Sequence, residues 1–239
     1  MTDPLRIAVL QTGRTIPEAL DAHGDYDEMC KAMIGRAPDQ AETFAVLDGD
    51  FPPSLDPYDV IVITGSKHGI YEDLPWIAPT EDLIRQAMQD GKRMIGICFG
   101  HQIMAQALGG RAEKSEKGLG VGLMPYDFIS SDGSRTRKHL YAWHQDQVLE
   151  APPGTEVIAT SDFCPIAGLR YGDQAISLQP HPEFTKAYMT ALIEARCDSH
   201  LGPEASEKAL ISMEAPSDSI EIRQMLQSFM EARPHMAAE

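Results

Sequence analysis

Arg93-Met94-Ile95-Gly96-Ile97-Cys98-Phe99-Gly100-His101-Gln102, running on through Ile103-Met104-Ala105-Gln106-Ala107-Leu108-Gly109-Gly110, is the stretch that decides the fold. A short apolar run enters a Gly-x-Cys-x-Gly turn and leaves as a helical pattern closed by two glycines. The order is strand, sharp turn, helix, with Cys98 at the tip. Such an elbow strains its central residue and demands small neighbours two places away, which Gly96 and Gly100 supply. A thiol at that point sits at a helix N-terminus, where the dipole and free N–H groups favour a thiolate. The competing reading is a buried structural cysteine at a strand end, a common arrangement.

Working outward, 239 residues suffice for a full core. The 20 basic and 36 acidic residues leave a net charge of −16, which argues against a nucleic-acid backbone as partner. No apolar run approaches the roughly 20 residues that span a bilayer, so no membrane role is expected. The first six residues carry no basic-then-apolar signal pattern. Cys30, Cys98, Cys164 and Cys197 are scattered with no Cys-x-x-Cys pair. A disulfide frame and a zinc site are therefore not expected, and a reducing cytoplasmic compartment is.

Upstream of the elbow, Leu5 to Gln11 reads as a first strand ending at Thr12-Gly13. Residues 14–39 hold one helical segment with Tyr26, Met29, Cys30 and Met33 at helical spacing. Glu42 to Asp48 reads as a second strand. Asp59 to Thr64 is nearly all apolar, as in a parallel strand buried on both faces. It runs into the polar, Gly-rich loop Gly65 to Asp73. A helix near Thr80 to Asp90 places Leu83, Ile84, Ala87 and Met88 on one stripe, with acids in its first turn and Gly91 at its end. Strands alternating with helices imply a doubly wound parallel sheet. In such sheets sites lie outside the C-terminal strand ends, where Gly65 and Cys98 both fall.

Downstream, Gly118 to Met124, Arg137 to Trp143, Glu156 to Thr160, Pro165 to Arg170 and Gln174 to Leu178 read as short strands. Ala142 to Val148 crowds polar residues behind an aromatic. The strand Ile176-Ser177-Leu178 stops at Gln179-Pro180-His181-Pro182-Glu183, whose prolines fix φ on both sides of His181. Thr185 then caps a helix carrying Tyr188, Met189, Leu192 and Ile193 inward. Gly202-Pro203 and Ala215-Pro216 punctuate the remainder, Ile220 to Ala232 forms a last amphipathic helix, and Arg233 to Glu239 is expected to fray.

A cysteine nucleophile needs a base within reach and a group to orient that base. His181 stands at a strand end, locked between prolines, and on extended backbone Glu183 points to the same side. A solvated turn histidine is the alternative. No metal is expected, because His181-x-Glu183 lacks the Pro-Cys-x-x-Cys that zinc deaminases add. An oxyanion would be met by the N–H after the nucleophile, that of Phe99, and by a second from Thr64-Gly65-Ser66. His101, beside the nucleophile, is expected to pack outward from its helix.

Gly96-Ile97-Cys98-Phe99-Gly100-His101-Gln102, Trp143-His144-Gln145-Asp146-Gln147-Val148 and Gln179-Pro180-His181-Pro182-Glu183 resemble the three signatures of class I, triad-type glutamine amidotransferases. Thr64-Gly65-Ser66 stands where that family keeps its oxyanion glycines, and the order and spacing agree along nearly the whole chain. The resemblance implies a cysteine-dependent attack on a small-molecule γ-glutamyl amide, either glutamine or a γ-glutamyl peptide, through a γ-glutamyl thioester. It implies Cys98 as nucleophile, His181 as base, Glu183 as its orienter, and Gly65 and Phe99 as oxyanion donors. It places Gln102, Trp143, His144 and Gln145 against the substrate, and it calls for no cofactor.

Two departures stand out. Pro180 occupies a position where the family often has an aromatic. Gly65-Ser66-Lys67 replaces the Gly-Gly-Pro of many members, which leaves the second N–H donor open. Ammonia-delivering relatives carry or bind a synthetase, and this length leaves no room for a fused one. The expectation is one α/β domain over residues 1–239, a flavodoxin-like, doubly wound and mostly parallel sheet with a small antiparallel addition and a helical extension over about 200–233. Functionally it is a free-standing glutaminase subunit serving a separate synthetase, or a stand-alone γ-glutamyl peptidase cutting glutathione-like adducts. A rival of another class is a regulatory module that binds a γ-glutamyl metabolite.

Overall fold

The computed structural model describes residues 4–232; the fraying expected of 233–239 lies outside them. Four short runs, β1 (Ile7–Leu10), β3 (Val60–Ile63), β4 (Arg93–Ile97) and β11 (Ala175–Leu178), buried throughout except at Arg93, form the centre of the sheet, with β2 (Glu42–Phe44) at its edge. Their spatial order β2-β1-β3-β4-β11 is wholly parallel. It is the 2-1-3-4-5 order of flavodoxin-like sheets. Successive side chains go to opposite faces. Ala8, Leu10, Ile61 and Ile63 pack against the face covered by α3 (Ile77–Gln89) and α4 (Phe99–Ala107). Ile7, Val9, Val60 and Val62 face α2 (Tyr26–Met33) and α7 (Ser219–Glu231). A sheet covered on both sides needs apolar residues at every position, hence the missing alternation in Val60-Ile61-Val62-Ile63.

The antiparallel part is larger than the sequence pattern indicates. β10 (Gly168–Tyr171), β9 (Glu156–Thr160), β6 (Gly120–Ile129) and β7 (Arg135–His144) extend the same sheet to nine strands. A separate pair joins β5 (Arg111–Lys114) to β8 (Asp146–Glu150). The segment over 14–39 is two helices. α1 (Pro17–His23) ends at Gly24, whose φ of 75° no other side chain adopts easily, and Asp25 then opens α2 with a capping box. The expected strand Glu42 to Asp48 keeps only its first half before turning into a 3₁₀ turn over Val46–Asp48. Helix α3 starts at Ile77, so Glu81 and Asp82 fall beyond its first turn.

Past the sheet, Thr185 Oγ1 accepts the Tyr188 N–H at 3.1 Å and caps α5 (Lys186–Arg196) as expected. One wide turn over Cys197–Leu201 leads to α6 (Pro203–Ser212), then to α7. Helices α5 and α6 close a third cluster with Leu123 and Tyr141 at the antiparallel end. Among the described residues no helix is long and apolar enough to cross a membrane, and no cluster of three His, Cys, Asp or Glu side chains could hold a metal.

Candidate active site

The elbow forms where the sequence places it. Cys98 is the N-cap of α4 with φ 52° and ψ −102°, and among the described residues no other non-glycine has positive φ. A β-branched or bulky neighbour would not allow this turn. A β-carbon on Gly96 would sit 2.6 Å from Gly100 O and 2.5 Å from Met104 Sδ, and one on Gly100 would collide with Ile63 O. The strain is held by surrounding backbone bonds: Cys98 N–H donates to Leu178 O at 2.8 Å, and Gly100 N–H to Thr64 O at 3.1 Å.

His181 arrives from the neighbouring strand. β4 and β11 pair in parallel with Ile97 opposite Leu178, so Cys98 and His181 leave the same sheet edge. His181 N–H bonds Tyr141 O at 2.8 Å, and its ring lies flat on Phe184, centroids 4.0 Å apart and planes 6° apart. Its Nδ1 lies 2.6 Å from Glu183 Oε1, with both side chains buried. Its Nε2 is buried without a protein hydrogen-bond partner of full geometry. Burial pulls the imidazole pKa down, but the Glu183 charge and nearby Cys98 outweigh it and push it up to about 10.

Gly65 joins the two. A β-carbon there would stand 3.4 Å from His181 Cε1 and 3.7 Å from Cys98 Cβ. Any side chain would fill the space over the thiol, so the Gly65 backbone borders both groups. Phe99 is the first residue of α4, and the N–H groups of a first helical turn have no intrahelical acceptor. Thr12, a residue no motif marks, secures this loop: its Oγ1 lies within donating reach of Thr64 O at 2.9 Å and Gly65 O at 3.2 Å. The only local signal for it is that Thr12-Gly13 ends the first strand. Gly13 matters through close approach, since a β-carbon there would meet Gly65 O at 2.7 Å.

Gln179 also had no assigned role, although it belongs to the quoted motif. It is fully buried, and its Nε2 donates to Cys98 Sγ at 3.6 Å. Gln102 holds it: Gln102 Nε2 lies 3.2 Å from Gln179 Oε1 and 2.9 Å from Asp146 O. Of the other residues expected to meet substrate, His144 is buried at the end of β7, its ring 5.5 Å from that of Phe163. Burial, then the neighbouring His181, lower its pKa to about 3, so it is a neutral imidazole. Gln145 reaches Ser115 O at 3.4 Å, and Trp143 lies half-buried opposite Val121. A cavity of about 360 Å³ lined by Met124, Asp127, Arg135 and Phe163 contains none of these residues.

His101 corrects an expectation. It is fully buried rather than outward-facing, with Nδ1 2.7 Å from Ser177 Oγ and Nε2 3.1 Å from Ile166 O. Both ring nitrogens are engaged, and burial lowers its pKa to about 4. It locks α4 onto β11 as a neutral core residue.

Several known proteins share this architecture. The chain is 31% identical over 225 residues to γ-glutamyl peptidase 5 of Arabidopsis thaliana, covering 89% of this chain and 90% of that one. γ-Glutamyl peptidase 3 of the same plant is 30% identical over 223 residues, 87% and 89% of the two chains. A GMP synthase of Aromatoleum aromaticum is 31% identical over 180 residues, which is 67% of this chain but 33% of that protein. In fold, a glutamine amidotransferase from Thermotoga maritima superposes with a TM-score of 0.76 at 20% identity, covering 96% of this chain and all of that one. The family model for class-I glutamine amidotransferases matches residues 39–197, a span holding Gly65, Cys98, His181 and Glu183, and the chain belongs to that family.

Proposed function

We propose that the protein is a stand-alone γ-glutamyl peptidase that hydrolyses γ-glutamyl amide bonds through Cys98. The observation that carries this is the grouping of Cys98 and the His181–Glu183 pair around the bare backbone of Gly65. Cys98 Sγ passes its proton to His181 Nε2 and attacks the γ-carbonyl carbon, and the C=O electrons move onto oxygen. The N–H groups of Phe99 and Gly65 hold that oxyanion. His181 Nε2 gives a proton to the amine nitrogen as the C–N bond breaks, leaving a γ-glutamyl thioester. A water molecule then loses a proton to His181, attacks the thioester and releases glutamate with Cys98 restored. Gln179 steadies the sulfur, Gln102 steadies Gln179, and Gln102, Trp143, His144 and Gln145 line the side on which the glutamyl end enters.

The peptidase reading is favoured over an ammonia-transferring subunit by the likeness to plant γ-glutamyl peptidases over 87% and 89% of this chain. The alternative rests on the likeness to one-third of a GMP synthase, whose partner here would be a separate synthetase. Steady-state assays of the purified chain decide between them. Glutathione is expected to be cleaved to glutamate and cysteinylglycine with a kcat/KM at least about tenfold above that for ammonia release from glutamine. Hydrolysis of glutamine seen only with an added synthetase overturns the peptidase assignment.

The Glu183 carboxylate gives a pH test. Because the pKa of His181 is raised to about 10, its charge contributes stability that is complete below the unfolded value near 6.5 and lost as pH rises through about 10. The alkaline limb of kcat/KM is therefore expected far above 6.5. Glu183→Gln removes the charge that raises His181, so that limb shifts to lower pH and kcat falls about 10- to 100-fold. An unchanged alkaline limb in this variant would show that Glu183 does not set the imidazole.

A further inference from the structure

Helix α7 lies wholly beyond the span matched by the family model, yet it reaches the His181–Glu183 segment. Arg223, on its first turns, donates Nε to Pro182 O at 2.7 Å and Nη2 to Glu183 O at 3.1 Å and Phe184 O at 3.2 Å. Three successive carbonyls are thus gathered by one guanidinium.

The segment needs such a clamp. β11 ends at Leu178, and Pro180 and Pro182 have no N–H to continue a ladder. Carbonyls that leave a sheet inside the protein still require donors. A guanidinium supplies five N–H groups in a planar fork, whereas an ammonium offers its three donors from a single nitrogen and cannot reproduce the spread between Nε and Nη2. The site also holds an uncompensated feature: Glu183 Oε2 is buried without a hydrogen-bond partner. Burial lowers the Arg223 pKa while the Glu183 charge opposes the loss, so the two charges act on each other.

Helix α7 does not depend on Arg223 for its own seat. Ile222, Leu226 and Met230 are buried. Asp218 exchanges two bonds with His139 (2.9 and 2.7 Å), Gln227 Nε2 donates to Met33 O at 2.8 Å, and Arg93 Nη1 to Met230 O at 2.8 Å. Arg223 therefore projects from an anchored support onto the one segment that carries both His181 and Glu183.

We propose that Arg223 is a positioning residue that keeps the Pro182–Phe184 backbone where Glu183 can hold His181, making α7 part of the catalytic apparatus. This rests on the reading of His181 and Glu183 as base and orienter. Loss of the clamp lets the pair drift relative to Cys98 without altering the surfaces that meet substrate, and small misplacements of reacting groups are costly in rate.

The test uses the full chain with γ-glutamyl-p-nitroanilide as probe, comparing Arg223→Met, Arg223→Lys and Arg223→Ala. Arg223→Met is expected to lower kcat about 10- to 100-fold with KM within about twofold, at a temperature where melting curves show the variant folded. Arg223→Lys should recover less than the full rate. Millimolar guanidinium added to Arg223→Ala should restore part of kcat, which a purely structural role would not produce. A kcat within twofold of the parent in Arg223→Met, or no guanidinium rescue in folded Arg223→Ala, overturns the proposal. Cys98→Ala serves as the separate control: turnover persisting there would undo the site assignment itself, whereas an inactive Cys98→Ala beside an active Arg223→Met would remove Arg223 alone.

Discussion

Cys98→Ala is expected to lower γ-glutamyl hydrolysis by at least about 10⁴-fold while the chain stays folded. Among Gly96, Ile97, Cys98, Phe99 and Gly100, only Cys98 carries a nucleophilic side chain able to form the proposed thioester. It carries the contact from Gln179, and the unpartnered Nε2 of His181 has no other protein acid to serve. The replacement keeps a β-carbon and removes one atom, so it asks nothing new of a backbone already held at φ 52°. What remains in the variant is the oxyanion donors and the binding contacts, which accelerate hydrolysis only weakly without a nucleophile. Steady-state turnover with a thermal melt on the same preparation makes the comparison. Retention of more than about 1% of parental activity in freshly purified Cys98→Ala would mean that another residue attacks.

Gly100→Ala is the corresponding test of the scaffold. The β-carbon would be driven into Ile63 O, a main-chain atom in the middle of the sheet that cannot rotate away. Moving α4 outward to make room would break the Gly100 N–H bond to Thr64 O and carry Phe99 off the site. It would also unseat Ile103 and Met104, both fully buried. Overpacking of this kind costs about 3 kcal/mol, or a loss of roughly 6–12 °C in melting temperature for a chain of this size. Activity should fall even where the variant is folded, because the first turn of α4 carries Phe99, whose N–H is the proposed oxyanion donor. A melting temperature within 2 °C of the parent, about a third or less of the expected loss, would show that the elbow tolerates a larger residue.

The elbow and the Pro-His-Pro-Glu segment were legible in the sequence because each is fixed by local covalent constraints. Small residues must flank a strained cysteine, and prolines must end a strand. The central strands were legible for a similar reason, since a run buried on both faces has no polar positions. The charged Arg111-Ala112-Glu113-Lys114 hid β5, which buries only Ala112 and pairs at an exposed two-stranded edge. His101 was misread because its partners, Ser177 and Ile166, lie 76 and 65 residues away and no helical periodicity announces them. Arg223 escaped for the same cause, standing 39 to 41 residues from the carbonyls it gathers. Long-range satisfaction of buried polar groups is what a pattern of apolar spacing does not encode.

The parallel pairing of Ile97 with Leu178 has a consequence for how such a protein changes over time. Cys98 and His181, the proposed nucleophile and base, are spaced by counting peptide units past two adjacent strands, one beyond Ile97 and three beyond Leu178. None of that spacing passes through the loop at Ser66–Asp73 or the turn near Ser115. Beyond Ser66, which packs against Gly13, these segments are therefore free to lengthen, shorten or change charge without altering the distance between Cys98 and His181. The register that spaces Cys98 and His181 and the loops beside them can be inherited and altered as independent modules.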